Sequence, residues 1–457
     1  MDTKKLRQKI LDLAIRGKLV PQDPNDEPAS VLLERIRVEK QRLVKEGKIK
    51  APKGGDKCHY EKVEGPFEIP EGWVWVKLSD MAFFSGGKTP SMAEKSYWKN
   101  GRHLWVTSKD MKCDVIEDTQ IKLSDKGIEE MSMLPTGTIL MVNRSGILRR
   151  TLPLAILGRD ATINQDLKSI SLYITEMNNF VFWELRALEK KILLEYKKDG
   201  TTVDNINFDK FVDILLPVPP LKEQQRIVTE IIKWLSLVDS IEASEEVLSQ
   251  SISKTKAKIL DKAISGKLVP QDPSDEPAIE LLKRIKPAFV PCDNSHYENL
   301  PQGWTMCKLE DILEYEQPQA YIVESTEYSD NFKTPVLTPG KSFILGYTNE
   351  QFGIYSGPFP VIIFDDFTTA SKYVNFPFKV KSSAMKILHP AKEIDIKYVE
   401  YFMSITKLVG DTHKRYWISE YSKIEIPVPP LKEQHRITEM VDNLFGKLDT
   451  LLAETES

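Results

Sequence analysis

The sequence lacks the features of a membrane or secreted protein. It contains no run of about 18 or more apolar residues, so no transmembrane helix is expected. Its first residues carry apolar side chains at helical spacing rather than in the continuous block of a signal peptide. The four cysteines are scattered without a C-x-x-C pair, which is typical of free thiols in a reducing compartment. These absences predict a cytoplasmic protein.

Motifs of enzyme chemistry are missing as well. The chain has no GxGxxG or GxxxxGK[ST] loop, so neither dinucleotide nor nucleotide binding is expected. It has no [DN]PP[YF] motif, which excludes the adenine chemistry of an amino-methyltransferase. The six histidines form no repeated Cys/His pairing of the kind that holds zinc. We therefore expect no catalytic residue, no metal and no cofactor on this chain.

An excess of positive charge is also absent. The formal net charge is −4, and neither 81–216 nor 312–426 carries a clear excess of lysine and arginine. A protein of this balance binds DNA only if its basic groups share one face, or if a partner supplies much of the affinity for phosphate.

The sequence instead contains three elements twice. Residues 10–36 and 259–285 are identical at 21 of 27 positions. LPVPPLKEQQRI (216–227) recurs as IPVPPLKEQHRI (426–437), and PEGWVWVKLSD (70–80) recurs as PQGWTMCKLED (301–311). We call these three elements the repeated frame. The long inserts between them do not visibly align, so one architecture carries two different surfaces.

Each PVPPLKEQ element opens a predicted long helix. The first helix is expected from about Leu221 to Gly266, with Gly17 and Gly266 as glycine C-caps. Its two halves match the C-terminal and N-terminal stretches of the chain, so the two ends form a split copy of it. This order predicts a circularly permuted repeat with a pseudo-twofold axis and two long antiparallel helices. The expected coiled-coil seam comprises Leu221, Val228, Ile231, Leu235, Val238, Leu431, Ile437, Leu444 and Leu448.

The first insert is expected to be a mixed α/β domain. Apolar runs at 138–142 and 153–157 predict strands, and 180–196 predicts a helix. Its loops carry cations and hydroxyls suited to phosphates, and amides suited to adenine. Taken singly, each of these side chains also fits an ordinary solvated surface. The candidate DNA contacts are Lys88, Thr89, Arg102, Thr107, Lys109, Asn143, Arg144, Arg149, Arg150, Asn164 and Gln165.

The second insert is expected to be a second mixed α/β domain. The run VIIF (361–364) predicts a buried strand that ends in a polar turn. Asp365 and Asp366 in this turn could suggest a nuclease-like metal site, but such short charged patterns often arise by chance. The candidate DNA contacts are Lys341, Tyr347, Thr368, Thr369, Ser371, Lys372, Lys414, Arg415 and Tyr416.

Together these motifs resemble the specificity subunit of type I restriction-modification systems. The duplicated PVPPLKEQ element opening a long helix is the most specific sign, and 105–111, 162–168, 200–211 and 361–374 are similar to segments of target recognition domains. The resemblance implies an α+β chain of two mixed α/β target recognition domains separated by two long antiparallel coiled-coil helices. The expected parts are an N-terminal helical segment and linker (1–69), a first domain (70–216), the central helix (217–266), a repeated element and linker (267–300), a second domain (301–426) and the C-terminal helix (427–457).

The resemblance also implies a function. Each domain would read one half of a bipartite, asymmetric DNA target, and the helices would set the spacer and dock two methyltransferase subunits. Those subunits would carry S-adenosylmethionine, and restriction subunits that translocate DNA could join them. A rival interpretation is a non-catalytic adaptor that binds proteins on a coiled-coil scaffold. A nuclease or methyltransferase is disfavoured because no strong catalytic motif is present.

Overall fold

The computed structural model describes residues 1–49, 64–292, 300–338, 342–406, 408 and 415–456. The chain divides into a first unit, Asp2–Ala243, and a second unit, Ser244–Ser457 together with Met1. In the described part of the chain, no helix is both long and apolar enough to cross a membrane.

The first unit contains seven α-helices before the long helix, counted over its described residues. They are α1 (Thr3–Ile15), α2 (Ala29–Lys45), α3 (Leu78–Met81), α4 (Asp125–Ile128), α5 (Asn178–Ala187), α6 (Glu189–Glu195) and α7 (Phe208–Phe211). Its strands are β1 (Val74–Lys77), β2 (Ala82–Gly86), β3 (His103–Val106), β4 (Val115–Ile116), β5 (Lys122–Leu123), β6 (Ile139–Val142), β7 (Arg144–Ser145), β8 (Leu154–Leu157), β9 (Ala161–Ile163), β10 (Leu167–Leu172), β11 (Lys197–Lys198), β12 (Asp204–Ile206) and β13 (Leu215–Val218).

The first domain is built on a five-stranded sheet in the order β2-β10-β6-β8-β4. Every side chain of β6 is fully buried, and α5 packs against β8. A strand buried on both faces reads as a continuous apolar run, which is why 138–142 and 153–157 were recognisable as strands. Burying each large apolar side chain contributes about 1.5–3 kcal/mol. The domain also contains two three-stranded sheets, β5-β3-β9 and β11-β12-β7, and the two-stranded sheet β1-β13.

The single helix predicted over 180–196 is two helices in the structure. α5 ends at Ala187 and α6 begins at Glu189. The Glu189 carboxylate accepts hydrogen bonds from the Thr151 hydroxyl at 2.6 Å and from the Leu152 backbone N–H at 2.8 Å. This contact with a neighbouring turn fixes the start of α6, and apolar periodicity carries no sign of it.

The second unit contains the remaining elements. The long helix α8 (Leu221–Ile264) begins in the first unit and ends in the second. The other helices are α9 (Ala278–Ile285), α10 (Leu309–Ile312), α11 (Ile396–Ile405), α12 (Tyr416–Ser419) and α13 (Leu431–Glu456). The strands are β14 (Thr305–Lys308), β15 (Leu313–Glu316), β16 (Thr334–Leu337), β17 (Ile344–Thr348), β18 (Val361–Asp365), β19 (Ser371–Val374), β20 (Lys379–Val380), β21 (Met385–Pro390) and β22 (Glu425–Val428).

The second domain is built on a four-stranded sheet in the order β15-β21-β18-β19. Residues 361–364 of β18 are fully buried, which confirms the strand predicted from the run VIIF. The rings of Trp417 and Tyr421 pack beside Phe364. A separate three-stranded sheet, β17-β16-β20, has its own small apolar core around Tyr355.

The long helices agree closely with their predicted bounds. α8 has 44 residues, and Gly17 and Gly266, which follow α1 and α8, have φ of +65° and +68°. This left-handed conformation carries a steric penalty for residues with a Cβ, so the glycine C-caps are confirmed.

Most of the predicted seam is at least half-buried. Ile231, Val238 and Ile437 are almost fully buried, and the other predicted seam residues (Leu221, Val228, Leu235, Leu431, Leu444 and Leu448) are half-buried. The prediction missed Ile227 and Val441, which are completely buried.

Antiparallel pairing of helices is seen inside each unit. In the first unit, Arg7 of α1 donates to Glu242 of α8 at 2.9 Å, and Gln22 donates to Glu223 at 2.9 Å. Since the residue numbers rise from α1 to Gln22 as they fall along α8, the two segments run in opposite directions. In the second unit, Lys256 donates to Asp449 at 2.5 Å and Gln271 donates to Glu433 at 3.0 Å, so the end of α8 and α13 are antiparallel by the same argument.

Candidate nucleic-acid interface

In the first domain, polar loops gather around the turn 164–166 between β9 and β10. The Lys88 backbone N–H donates to the Ile163 carbonyl at 3.2 Å, and the Thr89 hydroxyl donates to the Gln165 side chain. A Cβ on Gly87 would lie 2.0 Å from the Ile163 carbonyl oxygen, so only glycine permits this close approach. The side chains of Lys88, Thr89 and Gln165 are exposed at the same place.

A second loop reaches the same turn from β6. The backbone N–H groups of Asn143 and Arg144 donate to the Asp166 carbonyl at 2.8 and 3.2 Å. Arg144 begins β7, where it lies opposite Asn205 of β12, and its side chain is exposed. The Asn143 Oδ1 atom is buried and has no hydrogen-bond partner among the described residues. The structure therefore brings Arg144 to the polar edge that also carries Gln165.

The strand β12 is supported by a buried carboxylate. Asp204 is 1% exposed and contacts Lys197 Nζ at 3.1 Å and Arg149 Nε at 3.6 Å. A hydrogen bond from the Gly200 backbone N–H and the nearby Lys197 and Arg149 cations lower the pKa of Asp204. Arg149 is exposed but partly engaged by Asp204, and Arg150 beside it is also exposed.

The other candidates in the first domain are mainly held in turns. Arg102 donates to Asp125 at 2.7 Å, and hydrogen bonds from His103 and then Arg102 lower the pKa of that carboxylate. Thr107 donates through its hydroxyl to Asp110 at 2.8 Å, and Lys109 in the same turn is exposed.

Asn164 requires a correction. Its side chain is only 7% exposed and exchanges hydrogen bonds with Asp166 inside the turn. An amide that closes a buried turn cannot reach a base edge, so Asn164 shapes the turn that displays Gln165.

In the second domain, the buried side chain of Asp366 holds the polar turn after β18 in place. The buried Asp366 carboxylate accepts a hydrogen bond from the Trp417 backbone N–H at 2.7 Å and lies 3.5 Å from Lys386 Nζ. Lys386 is 1% exposed and also donates to Gln317 at 2.8 Å. The Asp366 carbonyl accepts a hydrogen bond from the Tyr416 backbone N–H at 2.9 Å. These contacts join the turn after β18 to the segment that carries Arg415.

Three candidates in the second domain are buried and need correction. Thr369 is fully buried with φ of +56°, Ser371 is 7% exposed at the start of β19, and Tyr416 is 4% exposed beneath the turn. Because the sheet and the turn cover these three side chains, they are not exposed for contact with DNA in this structure.

The other candidates in the second domain are accessible or lie outside the described residues. Thr368, Lys372 and Arg415 are exposed, and Tyr347 is half-exposed in β17. The predicted contacts Lys341 and Lys414 lie outside the described residues.

The repeated frame forms the same contacts in both units, and no frame residue outside the seam had been predicted as functional. In the first unit, Trp73 Nε1 donates to Glu223 at 3.0 Å and Arg226 donates to Asp26 at 2.6 Å. The duplication itself could have identified this junction, since it marks every one of these positions.

In the second unit, Trp304 Nε1 donates to Glu433 at 3.0 Å and Arg436 donates to Asp275 at 2.6 Å. Burial raises the pKa of the Glu433 carboxyl. Each junction thus joins the tryptophan before a domain to the helix that follows it. Within the described residues, no group of three or more His, Cys, Asp or Glu is arranged to hold a metal ion.

Comparisons with known proteins agree with this architecture. The family model described as the type I restriction modification DNA specificity domain matches residues 70–250 and 301–456. A solved structure from a study of complex assembly and conformational transition of the type I restriction-modification system aligns with a TM-score of 0.54 and 16% identity. It covers 86% of this chain and 94% of that chain, which shows a shared fold.

Two relatives from Escherichia coli are similar in sequence. The specificity subunit of type I restriction enzyme EcoR124I/EcoR124II is 45% identical over 174 residues, which is 35% of this chain and 41% of the relative. The EcoAI specificity subunit is 30% identical over 382 residues, which is 68% of this chain and 62% of the relative. The chain thus spans less than two thirds of the length of these two relatives. With the family model matching most of its residues, the chain belongs to the family of type I restriction-modification DNA specificity proteins.

Proposed function

We propose that this chain is the DNA-reading subunit of a type I restriction-modification complex, and that each domain reads one half of a bipartite, asymmetric target. The observation that carries the proposal is the repeated frame with its two different domains. Trp73 with Glu223 and Trp304 with Glu433 mount the two domains in the same way. The loops around Gln165 and around Asp366 differ, so the two half-sites should differ in sequence.

The helices would set the spacer between the half-sites. Arg7 of α1 pairs with α8 in the first unit as Lys256 of α8 pairs with α13 in the second. This correspondence supports a circularly permuted repeat with a pseudo-twofold axis, in which α1 is the detached counterpart of the end of α8. At about 1.5 Å per residue, the 44 residues of α8 extend about 66 Å, enough to act as a ruler along DNA.

The chain would be non-catalytic and depend on partners. The long helices would dock two methyltransferase subunits, and those subunits would bind S-adenosylmethionine. Restriction subunits that translocate DNA are a further expected partner. Because the net charge of this chain is −4, basic surfaces of the partners would also supply affinity for the DNA phosphates.

Long-read mapping of N6-methyladenine tests the proposal. Cells would express this chain with its methyltransferase subunit, with the methyltransferase alone as the control. We expect a new split, asymmetric motif that disappears without this chain. An active methyltransferase that marks the same sites with and without this chain would reject the proposal and favour the protein-binding adaptor.

A further inference from the structure

The two domains carry different loops at equivalent places in their main sheets. In the first domain, β10 lies between β2 and β6, and in the second β21 lies between β15 and β18. Lys168 of β10 is opposite Met141 of β6, and Lys386 of β21 is opposite Phe364 of β18. Both lysines are the second residue of their strand, so they mark the same point near the start of β10 and of β21.

Beyond that point, an equivalent backbone hydrogen bond is formed in both domains. Two residues after Met141, the Asn143 carbonyl accepts a hydrogen bond from the Ile206 backbone N–H at 2.9 Å. Two residues after Phe364, the Asp366 carbonyl accepts one from the Tyr416 backbone N–H, also at 2.9 Å. Ile206 and Tyr416 stand the same number of residues before the two PVPPLKEQ elements. The two hydrogen bonds are thus equivalent in both sequence and structure.

The positions flanking this hydrogen bond differ in chemistry. In the first domain they are Arg144 and Asn205, which lie directly opposite each other in the β7-β12 pair. In the second domain they are Phe367 and Arg415. Arg144 and Arg415 are exposed, Phe367 is 38% exposed, and Asn205 is half-exposed. Within the described chain, no ion pair engages either arginine, so both remain available to a ligand.

Each pair also rests on a buried carboxylate. Asp204, next to Asn205, is held by Lys197 and Arg149, and Asp366, next to Phe367, is held by Lys386 and the Trp417 backbone N–H. Contacts that distinguish one base from another need exposed side chains that can vary and a backbone that is held rigidly.

On the basis of the proposed function, we infer that these paired positions determine specificity, Arg144 and Asn205 for one half-site and Phe367 and Arg415 for the other. Arginine fits the edge of guanine with two hydrogen bonds, asparagine fits adenine, and an apolar ring contacts the methyl group of thymine. Lys198, opposite Asn205 in β11, extends the row in the first domain toward the phosphates.

The test uses the full chain in its complex with the methyltransferase, acting on double-stranded DNA in which each target position is randomised in turn. We expect Arg144→Ala and Asn205→Ala each to reduce discrimination at positions of one half-site about ten-fold, which corresponds to about 1.4 kcal/mol for a lost bidentate contact. The other half-site should be read unchanged. Phe367→Ala and Arg415→Ala should give the reciprocal result.

Two further variants separate base reading from charge and folding. Arg144→Lys keeps the charge but loses the planar fork, so it should retain affinity and still lose discrimination. Lys99→Ala and Lys392→Ala remove exposed cations of the two domains away from the paired positions, and they should leave both half-sites intact.

Uniform loss of affinity at every sequence, altered reading of both half-sites, or no change in the four alanine variants would overturn the inference. If the Arg144→Ala complex unfolds at a different temperature from the unsubstituted complex, the discrimination of the Arg144→Lys complex decides the outcome instead. Absence of any split motif for the unsubstituted complex would reject the proposed function itself, so the two failures are distinguishable.

Discussion

The first and second units are alike in the repeated frame and unlike in the domains that it carries. Trp73, Glu223 and Arg226 make the contacts that Trp304, Glu433 and Arg436 make, with nearly the same distances. The two domains have equivalent strand neighbours around β10 and β21. They differ in their exposed side chains and in the surroundings of Lys168 and Lys386.

The difference separates two kinds of constraint. A junction between a domain and a helix depends on close packing, which tolerates few substitutions. A loop that touches a ligand needs a fixed backbone but can vary its side chains. The frame therefore fixes how each domain is attached to its helix, and in the proposed function the exposed loops define the target.

The largest expected effect comes from lengthening α8 between the two units. Inserting seven helix-forming residues after Ala243 retains the contacts of Arg7 with Glu242 and of Lys256 with Asp449. The insertion adds about 10.5 Å of helix, which corresponds to about three base pairs. We expect both half-sites to persist with a longer spacer, as read by N6-methyladenine mapping.

A two-residue insertion at the same place is the matched control. It turns the following helix by about 200°, so it should abolish methylation of any split motif. An unchanged spacer after the seven-residue insertion would show that α8 does not set the distance.

The next effect concerns the lysines at equivalent points of the two sheets. Lys386 is buried against Asp366, whereas Lys168 is half-exposed with its Nζ 5.3 Å from the Phe208 ring. Removing one partner of a buried ion pair costs about 3–5 kcal/mol, so Lys386→Met should destabilise the second domain strongly. Lys168→Met should cost less than about 1 kcal/mol, since cation–π contacts at accessible sites are weak.

Hydrogen exchange of 361–374 and 139–157, followed by mass spectrometry, reports the two effects separately. Replacing both partners, with Lys386→Met and Asp366→Leu, should recover part of the stability because no charge is left unpaired. Equal losses from Lys386→Met and Lys168→Met would contradict the difference in their surroundings.

A smaller effect should be the same in both units. A Cβ on Gly17 would lie 2.3 Å from Pro70 Cγ, and a Cβ on Gly266 would lie 2.3 Å from Pro301 Cγ. Gly17→Ala and Gly266→Ala combine left-handed strain of about 1–2 kcal/mol with a clash of about 1 kcal/mol. We expect similar losses of stability, measured by denaturant unfolding of each unit through hydrogen exchange.

Gly47→Ala is the control for backbone strain alone. Gly47 has φ of +71°, but a Cβ there would meet no atom within 4 Å. It should cost about half as much, and clearly unequal losses at Gly17 and Gly266 would show that the two junctions are not equivalent.

The sequence was sufficient for features that depend on periodicity or repetition. The long helices, their glycine caps and the buried runs at 139–142 and 361–364 follow from patterns a few residues long. The seam was partly misplaced, because Val228 and Ile227 are adjacent apolar residues and only the packing partner decides which is buried.

The candidate site was less predictable because exposure depends on the tertiary fold. Asn164 and Gln165 are adjacent amides, yet the turn buries one and displays the other. Asn205, which we infer to be a specificity position, was not among the predicted contacts, although its position relative to PVPPLKEQ matches that of Arg415 in the sequence. Lys386 gave no sign of burial, since its charge is satisfied by an Asp366 that is distant along the chain.

The smallest effect concerns a buried carboxyl of the second domain, Glu400. Burial raises the pKa of Glu400 on α11 to about 7, against a weaker opposing influence of Lys372. The corresponding position on α5 is Phe182, given that Tyr398 and Phe180 make matching edge contacts with Trp304 and Trp73. Because the folded-state pKa is raised, the folded protein holds the proton more tightly than the unfolded chain does.

The stabilisation from Glu400 is therefore fully present below about pH 4.5 and declines as the pH rises through about 7. We expect the second domain to lose up to about 2 kcal/mol over this range, since each pKa unit is worth about 1.4 kcal/mol and partial exposure reduces it. Glu400→Gln should flatten the pH dependence of exchange in 361–374 and should leave the pH dependence of exchange in 139–157 unchanged, because burial raises the pKa of a separate first-domain carboxyl, Glu184 on α5. A pH dependence that survives the substitution would assign the titration to another group.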